Sequence, residues 1–307
     1  MTRHALKHSY DVASAISQGR REYQEDAMAV DFPKGSDLGY VVLADGMGGH
    51  AAGDVASKLV VTEVFSDLKL QSGNPTHFEN NMADILQASV HAANACVRDH
   101  SNALPSSTGM GTTLVAPVLF AERLYWISIG DSPLFLLRDG RLNRLNEDHS
   151  LAPQIDFMAK SGLMSEEDCK NHPDRNCLAS GLVGSAIKMI DCPKTPLTLL
   201  DKDIIVVASD GLQSLSDLKI QDIVAQNQNN GSLAIVDALM SNLDGLGDPD
   251  QDNVALTVIK FIQPKPQIET TPFAPSTRRA QTRLVAMQPA GGSIARRPNP
   301  ISDPQTP

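Results

Sequence analysis

A chain of 307 residues with 41% hydrophobic and 20% charged content can bury one large core or two smaller ones, and its balance is that of an ordinary soluble globular protein. The net charge of −10 is unevenly spread: residues 264–307 carry six Lys/Arg against two Asp/Glu, whereas 1–263 carry 20 against 34. An acidic body excludes a nucleic-acid surface, and the lack of any apolar run near the roughly 18 residues of a membrane helix excludes a span of that kind.

The first eight residues, Met1-Thr2-Arg3-His4-Ala5-Leu6-Lys7-His8, lack the apolar stretch of a secretory signal and read as an N-terminal extension to a domain over 9–263. Cys96, Cys169, Cys177 and Cys192 form no CxxC pair. Neither a zinc site nor a disulfide framework is expected, and a reducing cytoplasm suits them.

Residues 9–18 alternate polar and apolar, as a half-buried strand does, and 27–32 alternate again after the polar turn Gly19-Arg20-Arg21-Glu22-Tyr23-Gln24-Glu25-Asp26. The apolar run Gly39 to Ala44 ends on Asp45 and breaks into Gly46-Met47-Gly48-Gly49-His50. Three strands therefore precede any helix. Helical periodicity follows over about 52–70 and 78–100. A Gly-rich approach, Ser107 to Thr113, leads into a strand to Phe120, and a hairpin at Ala121-Glu122-Arg123 returns through Leu124 to Ile129. Gly130-Asp131-Ser132-Pro133 interrupts the run, Leu134 to Leu137 resumes it, and Asp139-Gly140 marks another tight turn. This pattern predicts a meander of antiparallel strands.

Residues 148–190 are polar and irregular, with short helical pieces. Asp203 to Ser209 is a second buried strand ending in Asp210-Gly211, helices fill about 212–243, and Asp252-Asn253 opens a last strand, Val254 to Ile262. From Pro264 onward nine of the 19 prolines fall in 44 residues, a composition that predicts a disordered tail. A solvated tail is the plain reading; the functional one is a partner-docking or membrane-surface arm carrying Arg278, Arg279, Arg283, Arg296 and Arg297.

The acids carry the chemistry. Asp45, Asp210 and Asp252 sit where strands end or begin, Glu25 and Asp26 at a turn, and Asp131 in the break of the meander. Any one of them alone is a common turn or cap residue, but strand–Asp–Gly occurs twice, at Asp45-Gly46 and Asp210-Gly211. Hard oxygen donors without clustered His or Cys select Mg²⁺ or Mn²⁺. Two such ions side by side polarise a phosphoryl group and turn a bridging water into hydroxide. Gly46-Met47-Gly48-Gly49-His50-Ala51 also fits a dinucleotide fingerprint, but a polar loop at Ser66 to Phe78 stands where the second strand belongs. Asp248-Pro249-Asp250-Gln251-Asp252 opens like a calcium loop, but Asn253 replaces its glycine and Ile259 its closing glutamate.

Arg21-x-x-Gln24-Glu25-Asp26, Asp45 to His50, Gly109 to Thr113, Gly130-Asp131-Ser132, Asp148-His149-Ser150, Ser209-Asp210-Gly211 and Asp252-Asn253 occur in the order seen in the metal-dependent protein phosphatases of PP2C type. Residues 9–263 resemble the bacterial branch of that family. The resemblance implies an α+β fold, a four-layer αββα sandwich of two antiparallel sheets flanked by helices. It implies that Asp45 bridges two Mn²⁺ or Mg²⁺ ions, that Asp210 and Asp252 complete one site, and that Glu25 and the Gly46 carbonyl complete the other. Asp26 is then expected to hold metal-bound water, Arg21 to grip the substrate phosphate with its guanidinium fork, and Asp131 to help Asp210 bind a third, weaker ion. Residues 152–180 become a flap beside the site that influences substrate choice.

The implied activity is hydrolysis of phosphoserine and phosphothreonine proteins by direct attack of metal-activated water, in a cytoplasmic monomer opposing a bacterial serine/threonine kinase. The alternative is a non-catalytic phosphoprotein-binding signalling module with the same fold, which the intact acid set opposes. Several positions depart from the family's pattern. Gln24 stands for the usual asparagine, Met47 for the histidine of animal members, Pro133 for an arginine after Gly-Asp-Ser, and Ala179 to Gly184 for Arg-Ala-Leu-Gly in the flap. These changes bear on substrate preference and on the source of the leaving-group proton rather than on the acids.

Overall fold

The computed structural model describes residues 9–48 and 51–263. The expected extension 1–8, the pair Gly49-His50 and the tail 264–307 lie outside the described residues.

Strands β1 (Ser9–Ser17), β2 (Asp26–Asp31) and β3 (Leu38–Met47) come first, as expected. Helices α1 (Ala51–Gln71), α2 (Pro75–Asn80) and α3 (Met82–Ala103) follow. The second helical stretch is therefore broken in two: the Asn74 side chain caps α2 by accepting from His77 N at 3.2 Å, and Asn81 starts α3 afresh. Next come β4 (Gly111–Thr112), β5 (Leu114–Phe120), β6 (Arg123–Ile129), β7 (Leu134–Arg138) and β8 (Arg141–Arg144). Helices α4 (Ala152–Lys160) and α5 (Glu166–Lys170) lie in the irregular stretch, and β9 (Leu197–Thr198), too short to show a pattern in sequence, follows it. The chain closes with β10 (Ile204–Ala208), α6 (Asp217–Asn227), α7 (Ser232–Asp244) and β11 (Val254–Ile262).

Two antiparallel sheets form, in the orders β1-β11-β10-β7-β8 and β2-β3-β5-β6-β9, with β4 paired to β3. The expected continuous meander is corrected here: β5 and β6 belong to one sheet, β7 and β8 to the other. Gly130 at φ +101° and Pro133 carry the chain across. A proline cannot donate to a ladder, and Pro133 instead accepts from Ala208 N at 3.1 Å as the chain enters its new sheet.

Alternation of side chains along each strand sorts the core into three layers. Tyr40, Val42 and Ala44 of β3 face α1 and α3, whereas Val41 and Leu43 pack against the other sheet, meeting Ile205 and Val207 of β10 and Ile259 of β11. Ile204, Val206 and Ala208 turn the opposite way, onto α6 and α7. Helices, sheet, sheet, helices is thus the α+β sandwich expected. Each fully buried aliphatic side chain of the central layer contributes roughly 1.5–3 kcal/mol, and truncating Leu43 or Ile205 to alanine is expected to cost about 2–5 kcal/mol. Among the described residues no helix is long and apolar enough to cross a membrane, and all four cysteines are free.

Candidate active site

The same alternation places the acids. Asp26 and Asp45 are register partners on β2 and β3, and both continue the inter-sheet face of Met28, Leu43 and Val41 to the end of the sandwich. Ser209 and Asp210 continue β10 at the same end, and Asp252 immediately precedes β11. With Asp131 in the turn after β6, five distant stretches of chain therefore deliver oxygen donors to one mouth between the sheets.

Local geometry holds that mouth. Gly46 N donates to Glu25 O at 3.1 Å, and a Cβ at Gly46 would lie 2.3 Å from Gly53 O and 2.6 Å from Glu25 O. A Cβ at Gly53, in the first turn of α1, would lie 2.3 Å from Glu25 Oε1. Only glycine allows the helix, the strand end and the Glu25 carboxylate to approach so closely. Thr113 fixes Asp45: its N–H donates to Asp45 O (2.9 Å), and its Oγ1 accepts from Asp45 N (3.0 Å). Ser209 Oγ donates to Asp26 Oδ2 at 2.7 Å, bridging the two sheets, and itself accepts from Ala255 N at 2.9 Å. Asn253, buried, accepts from Glu25 N (2.7 Å) and donates to Gln18 O (2.8 Å) and Tyr23 O (3.0 Å), tying the β1–β2 turn to β11.

The charges are strained. Burial, then the Asp210 carboxylate, drives Asp45 well above the usual carboxylate range, with Asp26 and Asp131 adding to it. Asp45 and Asp210 lie close enough that the Asp210 carboxylate is the largest charge acting on Asp45. Burial, then Asp252, raises Asp210. Asp26 is pushed up to about 7 by burial, opposed by the Ser209 hydrogen bond and reinforced by Asp210 and Asp252. Asp131 is likewise raised to about 7 by burial and then by Asp210, and Glu25 is raised by burial and then by Asp252. Glu25 Oε1 and Asp26 Oδ1 are buried without a hydrogen-bond partner.

Clustered, buried carboxylates with orphaned oxygens are the surroundings a hard cation relieves. Among the described residues no three His, Cys, Asp or Glu side chains close into a metal cage. That arrangement suits Mg²⁺ or Mn²⁺, which keep several waters and take few protein ligands per ion.

The structure brings Glu25, Asp26, Asp45, Gly46, Asp131, Asp210 and Asp252 to one end of the sandwich. Asp131, Asp210 and Asp252 line a cleft of about 390 Å³ together with Arg175 and Asn176 of the flap stretch and Gln213. Arg21 lies at its rim, more than half exposed, and its Nη2 donates to Asp252 Oδ2 at 2.7 Å. Arg175 is held by a two-bond fork on Asp156 of α4 (2.6 and 3.0 Å). His149 is buried below the Asp131 turn, where its Nδ1 accepts from Gly130 N at 3.3 Å, and burial lowers its pKa. Gly53, Thr113, Ser209 and Asn253 were not singled out by role from sequence. Three of them stand inside the recurring motifs, but their partners are distant in sequence, and only Gly53, near the start of a helix, offered a local signal.

A fold of two stacked antiparallel sheets with an acid-lined mouth defines a class of metal-dependent phosphohydrolases, and comparison with known proteins places the chain within it. The profile of the protein phosphatase 2C family matches residues 13–251, and the chain belongs to that family. It is 30% identical over 241 residues to the serine/threonine phosphatase stp of Listeria monocytogenes, covering 78% of this chain and 91% of that one. Its fold is similar to the crystal structure of the Mycobacterium tuberculosis serine/threonine phosphatase PstP/Ppp, with a TM-score of 0.67 and 28% identity over 83% of this chain and 99% of that one. It is also similar to the catalytic domain of PstP in complex with two manganese ions, with a TM-score of 0.65, 28% identity, and coverage of 83% and 99%.

Proposed function

We propose that this protein is a Mn²⁺/Mg²⁺-dependent phosphatase of phosphoserine and phosphothreonine proteins, working as a cytoplasmic monomer through the domain at 9–263 against a bacterial serine/threonine kinase. The observation that carries the reading is the crowding of the buried Asp45 and Asp210 carboxylates beside the orphaned oxygens of Glu25 and Asp26. Four acids from three separate strand ends are held where a pair of cations would neutralise them. In this reading Asp45 would be shared between two ions, Asp210 and Asp252 would complete one site, Glu25 with the Gly46 carbonyl the other, and Asp131 with Asp210 would hold a third. When bound, the ions supply Lewis acidity to the phosphoryl group and lower the pKa of water.

The chain's own residues do the rest. Asp26 is fixed through Oδ2 by Ser209, so its free Oδ1 orients the attacking water in line with phosphorus and accepts its proton. Arg21 moves from Asp252 to the phosphate, where its fork matches two equatorial oxygens. Arg175 and Asn176 border the cleft and meet the peptide around the phosphoresidue. Hydrolysis of p-nitrophenyl phosphate with added manganese, and its loss in EDTA, tests the proposal. Turnover that survives EDTA overturns it.

A further inference from the structure

Among the described residues strand β2 is the outer strand of its sheet, with β3 on one side and no strand on the other. Its hydrogen-bonding phase is set by its neighbours. Gly46 N donates to Glu25 O, and Asp45 uses its own N–H and C=O on Thr113 rather than on β2. Bonded and non-bonded residues alternate along an antiparallel pair. Ala27, Ala29 and Asp31 therefore bond to β3, and Met28 and Val30 turn their N–H and C=O to the open edge. The outward N–H of Asp26 is taken by Gln24 Oε1 at 2.9 Å, which closes the free ladder at the end beside Glu25.

Along this edge runs a groove of about 500 Å³ walled by Ile16, Ala27, Ala29, Val61 and Phe65, with Lys58 and Asp26 in its lining. Ile16, 52% exposed, presents an apolar side chain to water at the far wall. A bare edge ladder beside an apolar trough is the arrangement that accepts an extended peptide. Main-chain bonds give sequence-tolerant affinity, and alternate side chains fill the trough.

We propose that the groove holds an extended segment of the phosphoprotein substrate, added as one more strand to the edge of β2. The inference rests on the phosphatase reading above. Continuity with the catalytic mouth selects this occupant, because β2 runs directly into Asp26 and Glu25. A chain paired with Met28 and Val30 is therefore led to the carboxylate cluster. At about 3.3 Å per residue, the paired segment lies roughly three to six positions from the phosphoresidue, with apolar side chains at alternate positions facing Val61 and Phe65.

The test compares three substrates on the manganese-loaded full chain: p-nitrophenyl phosphate, a phosphothreonine tripeptide, and a twelve-residue phosphopeptide with alternating valines on one flank. Thr62 and Ser66 are exposed positions of α1 lining the groove, so Thr62→Trp and Ser66→Arg fill it without entering the core. The long peptide is expected to show a kcat/KM about tenfold above the tripeptide. Each variant is expected to remove most of that advantage through KM, leaving p-nitrophenyl phosphate turnover unchanged. N-methylation of the long peptide at successive positions is expected to weaken it with a period of two, a signature that loss of apolar contact alone does not give. Equal kcat/KM for the two peptides, or a variant that slows all three substrates alike, overturns the inference. So does a concentration-dependent dimer that Thr62→Trp dissociates, which gives the groove to a second copy of this chain. Failure of p-nitrophenyl phosphate hydrolysis in the parent protein strikes the phosphatase reading itself and is thereby distinguished.

Discussion

Replacing Asp26 with asparagine tests the electrostatic description of the mouth most directly. The folded protein raises this carboxyl from its ordinary 3.8 to about 7, chiefly by burial. Below about pH 4 the group is protonated both folded and unfolded and carries no penalty. Between about 4 and 7 the folded state holds a proton that the unfolded chain has released, so stability falls as pH rises through this window. Above about 7 the full penalty applies, roughly 4 kcal/mol for one such group. Asparagine keeps the shape and can still accept from Ser209 Oγ, but its buried amide needs a partner and returns about 1–3 kcal/mol of that gain. In EDTA, Asp26→Asn is therefore expected to be about 2 kcal/mol more stable than the parent at pH 8 and no more stable at pH 4.5. For a domain of this size that is roughly 4–8 °C in Tm. Urea unfolding at both pH values measures it, and manganese phosphatase activity should fall sharply in the same variant. A parent protein whose EDTA stability is flat or rising between pH 4.5 and 7, or a variant that is less stable at pH 8, refutes the reasoning.

Four further outcomes follow from the geometry. Ser209→Ala removes a hydroxyl that both donates to Asp26 and accepts from Ala255 N; a loss of about 1–3 kcal/mol in urea unfolding should accompany a fall in kcat larger than any change in KM. Asn253→Ala breaks three hydrogen bonds that anchor the turn carrying Glu25, so calorimetry should show weaker manganese binding together with about 2–4 kcal/mol of lost stability. Arg21→Ala frees Asp252 from its ion pair and removes the phosphate fork; manganese affinity should rise about two- to fivefold while KM for phosphopeptide increases, read by calorimetry and steady-state kinetics. Gly53→Ala drives a methyl into Glu25 Oε1, and manganese binding should be lost before the fold is.

Much of this protein is written along the chain. Strands β1, β2, β3, β10 and β11 follow from alternation or from apolar runs bounded by polar turns, because side-chain period is a local property and burial of one face or two is visible in it. The acids announce themselves by position, at strand ends followed by glycine. What the chain does not contain is the partner of each group. Nothing local to Gly130-Asp131-Ser132-Pro133 tells that β6 and β7 part company into different sheets, since either pairing satisfies the same turn. Nothing beside Asp26 points to a serine 183 positions away, and Asn253 looks like any polar residue before a strand until three backbone groups are found around it. Sequence determined which residues could hold charge and which faces of the strands had to be buried. Only tertiary structure decided which acids would crowd one another, because that depends on two sheets meeting face to face and shutting water out of the gap between them.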